Sequence, residues 1–368
     1  MKIVLSGGGT GGHIYPALAV AGGLRQSNPE IEILYIGTSR GLEAEIVPKE
    51  GVDFIAVSVS GMRRKLSLET ITWAGRTGKS VLDALRILRK FKPSVVIGTG
   101  GYVCGPVLLA ARILNIPILL HEQNAFPGKT NRWLAPMAKK VMITFQESEK
   151  YFKHPAKIVH TGLPVRQEIF HTSRKQGAKI LGLSPNKRTL LVVGGSQGAH
   201  SINEAVIPIM EYIAQEQNFQ LIWATGPKDY QWVLNCIKEQ GIKTEILGNI
   251  TIKPYIHQMA AALAVADLVV SRAGATFLTE VMAKGVASIL IPFPYATDNH
   301  QEYNASSLSE NGAAVKLSHS QFSPDALQKE VFNLLNNPQR LEEMAKAALA
   351  LSKPDALNNI LEQIKKWI

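Results

Sequence analysis

The sequence predicts an α/β protein made of two doubly wound, Rossmann-like halves, each built around a parallel sheet. Three observations predict it. Short apolar runs alternate with helical patterns from the first residue, a glycine follows the early runs where strand gives way to loop, and the whole rhythm restarts near residue 188. Strand and helix signals in alternation imply crossover connections, hence parallel strands that present ligands at their carboxyl ends. A chain of 368 residues also exceeds one ordinary core, so two domains are expected.

In the first half Lys2–Ser6 reads as a strand and His13–Gln26 as a helix; Ile31–Gly37, Val95–Gly98 and Ile116–Leu120 are further strands. The second half repeats the plan with strands at Arg188–Val193, Leu221–Ala224, Leu268–Ser271 and Ser288–Ile291. Its GGSQGAHSINEAV echoes the opening GGGTGGHIYPALAV: double glycine, hydroxyl residue, glycine, small residue, histidine, helix. GLPVRQEI at 162–169 carries the crossing, and Pro338 to Ile368 reads as two amphipathic helices broken at Lys353-Pro354.

Composition narrows the class. Hydrophobic content of 46% against 19% charged residues describes a folded soluble chain, not a disordered one. Cys104 and Cys236 stand far apart in no ligand spacing, which fits a reducing, cytosolic compartment. Only three apolar residues separate Lys2 from the glycines, so no secretory signal is expected. Apolar runs are broken by Arg112 and Asn115, or by Asp267 and Arg272, so no membrane span is expected. There is no D-x-D, no His/Cys cluster and no Walker A loop, so neither a metal site nor a cofactor is expected.

The net charge of +11 suggests an anionic partner, and its distribution says more. Residues 61–92 hold nine basic side chains (Arg63, Arg64, Lys65, Arg76, Lys79, Arg86, Arg89, Lys90 and Lys92) against Glu69 and Asp83. Such a run is commonly a solvated helix face. Ile71, Trp73, Leu82, Leu85, Leu88 and Phe91, interleaved with the charges, instead suit an anionic membrane surface. No nucleic-acid reader motif accompanies them, and no nucleic-acid partner is expected.

The loops carry the chemistry. Gly7, Gly9 and Gly12 formally spell G-x-G-x-x-G, but YIGTSRGLE lacks an acid at the second strand's end, where a dinucleotide fold holds the ribose. Arg40 leaves a 2′-phosphate open as a reading. What survives is simpler: bare N–H groups at a helix N-terminus hold a phosphate or pyrophosphate. Gly194 to Gly198 offers the same hardware in the second half. In SRAGATFLTEVMAKG (271–285), Thr276 and Glu280 stand four apart, which fails the capping-box spacing. Glu280 then suits the two hydroxyls of a ribose whose phosphates sit at the helix start; an ordinary exposed acid is the other reading. His121, Glu122, Gln123 and Asn124 follow a strand, where polar clusters are ligand-facing. Arg166 and Arg272 are available to neutralise a pyrophosphate.

GGGTGGHIYPALAVA, GYVCGPVLLAA, HEQNAFPGKTNRWLA, LVVGGSQGAHSINEAV and SRAGATFLTEVMAKG together resemble the MurG family of bacterial N-acetylglucosaminyltransferases, over essentially the whole chain. The resemblance implies a GT-B fold: two Rossmann-like domains facing across a cleft, with C-terminal helices returning to the first. It implies an acceptor and membrane-facing domain at 1–164, a donor domain at 165–340 and a returning helix at 341–368. It implies inverting transfer of N-acetylglucosamine from UDP-N-acetylglucosamine to the 4-hydroxyl of lipid I, giving lipid II, at the cytoplasmic face of the membrane as a peripheral protein. By motif match the donor is met by Thr10, Gly11, Gly12, Asn124, Arg166, Ser196, Ile256, Arg272, Ala275, Thr276, Glu280 and Gln301. The acceptor pyrophosphate is expected on the glycine loops, at Gly8, Gly9, Tyr102 and Gly105, and the anionic membrane at 61–92. His13 is expected as the general base, since a histidine titrates near working pH, with Glu122 as the second candidate. A soluble-acceptor transferase or a UDP-N-acetylglucosamine 2-epimerase on the same scaffold, and a non-enzymatic nucleotide-binding module, are the competing readings.

Overall fold

The computed structural model describes residues 1–58, 68–239 and 248–368; the side chains of 68–77 are outside the described set. Arg63, Arg64 and Lys65, and the side chains of Glu69, Ile71, Trp73 and Arg76, therefore lie outside the described residues. The chain divides into two compact units, one of Met1–Pro164 with Lys353–Ile368, the other of Val165–Ser352.

The first unit runs β1 (Lys2–Gly7), α1 (Gly11–Ser27), β2 (Glu32–Gly37), α2 (Glu43–Lys49), β3 (Asp53–Ala56), α3 (Leu68–Phe91), β4 (Val95–Gly100), α4 (Cys104–Ile113), β5 (Ile118–Glu122), α5 (Lys129–Leu134), β6 (Lys140–Ile143) and β7 (Ile158–His160). The strands pair in parallel in the order β3-β2-β1-β4-β5-β6-β7. Side chains alternate across the sheet, as the two-residue period requires. Ile3, Leu5, Ile33, Tyr35 and Ile97 pack on one face with α1, while Val4, Leu34, Ile36 and Val96 pack on the other with α3 and α4. Both faces are covered, which is why the strands read as continuous apolar runs.

The second unit has α6 (Gln167–His171), α7 (Arg174–Leu181), β8 (Arg188–Val193), α8 (His200–Gln215), β9 (Phe219–Ala224), α9 (Tyr230–Glu239), β10 (Ile250–Lys253), α10 (Met259–Val265), β11 (Leu268–Ser271), α11 (Ala275–Lys284), β12 (Ala287–Leu290), α12 (His300–Glu310), β13 (Ala314–Lys316), α13 (Pro324–Leu335) and α14 (Pro338–Leu351). Its strands are also parallel, in the order β10-β9-β8-β11-β12-β13. Both sheets thus have the Rossmann order, and each reverses winding at its first strand. Those reversals, β1 beside β4 and β8 beside β11, are where the glycine loops emerge.

The last helix, α15 (Ala356–Lys365), belongs to the first unit, whereas α14 stays with the second. Ile360, Leu361 and Ile364 are buried with the α1 side of the first sheet. Each such side chain contributes about 1.5–3 kcal/mol of burial. Gly23 lets α1 come close, because a Cβ there would press on Leu357 and Leu361. Among the described residues, no helix is long and apolar enough to cross a membrane.

Candidate functional site

In the first unit, the loop after β1 meets the loop after β4. Gly101 has φ of +85°, and a Cβ on it would collide with the Gly8 carbonyl, so only glycine allows the contact. The Gly8 N–H donates to Gly100 O at 3.3 Å, and the Gly9 N–H donates to Glu43 Oε2 at 3.1 Å. These two donors, expected to be bare, are already used. Thr10 opens α1 with extended backbone and no side-chain cap, so the first-turn N–H groups at Gly11 and Gly12 are available to an anion. Tyr102 is exposed beside Gly9, its hydroxyl 3.5 Å from Thr38 Oγ1, and Gly105 lies open in the first turn of α4.

Glu43 is what the sequence reading missed. It is fully buried, and besides Gly9 it accepts from the Thr38 N–H at 3.1 Å and the Thr38 hydroxyl at 2.7 Å. A Cβ on Gly8 or Gly41 would strike its carboxylate, and one on Gly37 its Cγ and the Phe54 ring. The acid absent from the end of β2 therefore enters six residues later, from the start of α2, and shapes the glycine loop after β1. Its signal was the glycine spacing around it, which reads as turn chemistry until the carboxylate is placed.

The cluster at the end of β5 is mostly internal. His121, Glu122 and Gln123 are each no more than 2% exposed, and only Asn124 is half-buried. Glu122 accepts from the Asn124 N–H and Nδ2, the Gly128 N–H and Asn131 Nδ2, at 2.8–3.3 Å. A buried carboxylate occupied by four donors is a structural hub, and as the second candidate base it would have to give up one of them. His13 is half-buried in the first turn of α1, with Nδ1 2.9 Å from Thr99 O and 3.0 Å from Gln123 Oε1. Both partners are oxygens that accept, so Nδ1 donates and Nε2 keeps its lone pair.

In the second unit a cavity of about 720 Å³ opens beyond β8 and β11. Ser196, Gly198, Arg272, Gly274 and Gln301 help to line it. Gly274 caps α11 without a side-chain acceptor, so the N–H groups at Ala275 and Thr276 and the positive end of the helix dipole are available to an anion. Arg272 donates to the Ile291 and Pro292 carbonyls at 3.1 Å and to Ser201 Oγ at 3.2 Å, with its guanidinium 5.6 Å from the Phe293 ring centre. Burial lowers its pKa, but a guanidinium starts high enough to stay a cation. Gln301 Oε1 accepts from the Ala273 N–H at 3.2 Å and the Phe293 N–H at 3.0 Å, which leaves its Nε2 as a donor.

Glu280 is 6% exposed, so it is not an ordinary surface acid. Burial raises its pKa above the usual carboxylate range, against the opposing pull of Arg166. Ile256 is buried in the core of this unit, so its side chain packs and only its main chain is left to meet a base. Arg166, Ile256 and Glu280 are not among the walls of the 720 Å³ cavity.

Of the basic-apolar stretch, the described part divides. Leu85 and Leu88 lie in the core of the first unit, while Leu82 is 55% exposed among Lys79, Arg86, Arg89 and Lys90.

Comparison with known proteins agrees with the fold of two parallel-sheet halves. The pattern of the glycosyltransferase family 28 N-terminal domain matches residues 3–143, and that of the glycosyltransferase family 28 C-terminal domain matches residues 189–360. The chain is 47% identical over 368 residues to the UDP-N-acetylglucosamine–N-acetylmuramyl-(pentapeptide) pyrophosphoryl-undecaprenol N-acetylglucosamine transferase of Moorella thermoacetica, covering 100% of this chain and 99% of the other. It is 50% identical over 361 residues to the protein of that name in Desulfitobacterium hafniense, covering 98% of each. Among solved structures, Acinetobacter baumannii MurG superposes with a TM-score of 0.78 at 31% identity, covering 99% of both chains.

Proposed function

Because this chain belongs to glycosyltransferase family 28, and resembles its lipid-linked N-acetylglucosamine transferases from end to end, we propose that it performs their reaction. It transfers N-acetylglucosamine from UDP-N-acetylglucosamine to the N-acetylmuramyl sugar of a pyrophosphoryl-undecaprenol lipid, in peptidoglycan synthesis. The observation that carries this is identity of 47% across the full length of a relative with that printed activity.

The geometry supports a division of labour. In the second unit, the α11 N-terminus, Arg272 and the Ser196 loop suit the donor diphosphate, with Glu280 on the ribose, Arg166 beside it and Gln301 on the sugar. In the first unit, Gly11 and Gly12 suit an acceptor or donor phosphate, and the Tyr102–Gly105 loop the acceptor. The acceptor's 4-hydroxyl attacks the anomeric carbon as the bond to UDP breaks, with inversion. His13 Nε2 takes the proton, a contribution of about 10²–10⁴-fold. Charge developing on UDP is met by fixed dipoles and a guanidinium. The enzyme works at the cytoplasmic face of the membrane, held there by the basic stretch 61–92.

The test is radiolabel transfer from UDP-N-acetylglucosamine to a lipid I analogue, with and without chelator. Label in the lipid product is expected. Label on a soluble sugar, or conversion of the donor to its 2-epimer without acceptor, would favour the competing readings. In the same assay His13→Ala is expected to lose about 10²–10⁴ in rate while donor binding stays intact.

A further inference from the structure

His13 ends a chain of hydrogen bonds whose direction is set by backbone carbonyls. We propose that Gln123, backed by His121, is a positioning residue that locks His13 as the Nδ1–H tautomer and so keeps Nε2 as the proton acceptor. The proposal rests on the reading of His13 as the base.

The protons are assigned by the network itself. His121 Nε2 lies 2.9 Å from the Gly162 carbonyl, which can only accept, so Nε2 carries the proton and Nδ1 the lone pair. Gln123 Nε2 lies 3.0 Å from that Nδ1 and 3.1 Å from the His121 carbonyl. Both are acceptors, so the amide nitrogen faces them. The amide oxygen then points to His13 Nδ1 at 3.0 Å, where Thr99 O also sits at 2.9 Å. Reversing the Gln123 amide would set its oxygen against the His121 carbonyl and ring lone pair. The chain therefore has one consistent register, from Gly162 through His121 and Gln123 to His13.

His121 and Gln123 are too buried for water to stand in for either. Burial also pushes the His121 pKa down to about 4, so the register does not invert in the neutral range. Titratable groups held in the same glycine-loop cluster as His13 include Glu43 from α2, Tyr35 from β2, Cys104 from α4, and His121 and Glu122 from β5; α5 contributes the Asn131 amide. Of these residues none bonds the His13 ring; Gln123 and Thr99 do. An amide that selects the wrong tautomer in a Ser-His-Asp triad lowers kcat by about 10⁴, which shows how much such a lock can carry.

The experiment measures kcat and kcat/KM against pH for Gln123→Leu, Gln123→Glu and His13→Ala, using a lipid I analogue. Gln123→Leu is expected to lower kcat by about tenfold to a hundredfold, because Thr99 still holds part of the tautomer. The KM for UDP-N-acetylglucosamine should not change. An acceptor on Nδ1–H favours the imidazolium, and an anionic one favours it more. The acid limb should therefore move to lower pH in Gln123→Leu and to higher pH in Gln123→Glu, a pair of opposite shifts that loss of packing does not produce. Limbs that stay put in both variants, while His13→Ala still loses its rate, overturn the proposal. A His13→Ala enzyme with full rate overturns the base reading instead. Independently of any variant's folding, ¹⁵N spectra of histidine-labelled wild type above the acid limb should show His13 protonated at Nδ1. Protonation at Nε2 overturns the lock.

Discussion

Arg166 brings both Nε and Nη2 to one oxygen of Glu280, at 2.8 and 2.7 Å, and leaves the other carboxylate oxygen to a further donor. A carboxylate held this way has its orientation fixed before a ribose arrives. Glu280→Ala is expected to weaken UDP-N-acetylglucosamine binding by about 10- to 100-fold, the worth of one hydrogen bond to a charged group. Discrimination between ribose and deoxyribose nucleotides should relax as well. Calorimetric titration measures both, and wild-type affinity in the variant would remove Glu280 from the ribose.

Burial raises the Glu280 pKa, so the folded state holds its proton more tightly than the unfolded chain does. Stability from this group is fully present below the unfolded carboxylate pKa and is lost as pH rises through the raised folded value. Glu280→Gln, neutral at every pH, should therefore melt above wild type at pH 7, and the gap should close as pH falls into the carboxylate range. Thermal melts across that range decide it. A variant that melts below wild type at pH 7 would mean that the Arg166 pairing outweighs desolvation.

Glu43 predicts a loss confined to one unit. Glu43→Ala strands the Thr38 N–H and hydroxyl inside the fold and takes the acceptor from the exposed Gly9 N–H. Each stranded group costs about 1–3 kcal/mol, so destabilisation of about 2 kcal/mol or more is expected in denaturant titrations. Transfer should fall while UDP binding, proposed to rest mainly on the other unit, survives. Loss of UDP binding together with transfer would show that the damage is not local.

The strands that were legible in the sequence are the buried, mainly apolar ones: β1, β8 and β11 fall where their runs place them to within a residue. β3, β7 and β13 were not, because they are short and lie half-exposed at a sheet edge, where no continuous apolar run is required. The site divides along similar lines. Residues next to a glycine loop, such as His13 and Ser196, announce themselves by local spacing. Glu43 and Gln123 act on partners 34 and 110 residues away, and local spacing says nothing about such pairs. The polarity of HEQN was visible, but whether it faced a ligand or the interior depended on Asn131, nine residues past Glu122, and on Gly162, 41 residues past His121.

α3 supplies a contrast for the membrane reading. Leu82 is exposed, yet Leu88, nearly two turns on, is fully buried. Leu82→Ser should weaken partition onto anionic vesicles by about tenfold or more, since an inserted leucine is worth about 1.5–3 kcal/mol, without lowering the melting temperature. Arg89→Ser with Lys90→Ser should cost about 2 kcal/mol, roughly thirtyfold, at about 1 kcal/mol per cation, and the effect should fade as salt rises. Leu88→Ala should instead destabilise the fold by about 2–5 kcal/mol. Vesicle flotation alongside thermal melts separates the cases. If Leu82→Ser and the double variant float as wild type does, this part of α3 does not meet the membrane, and its charges form a solvated face.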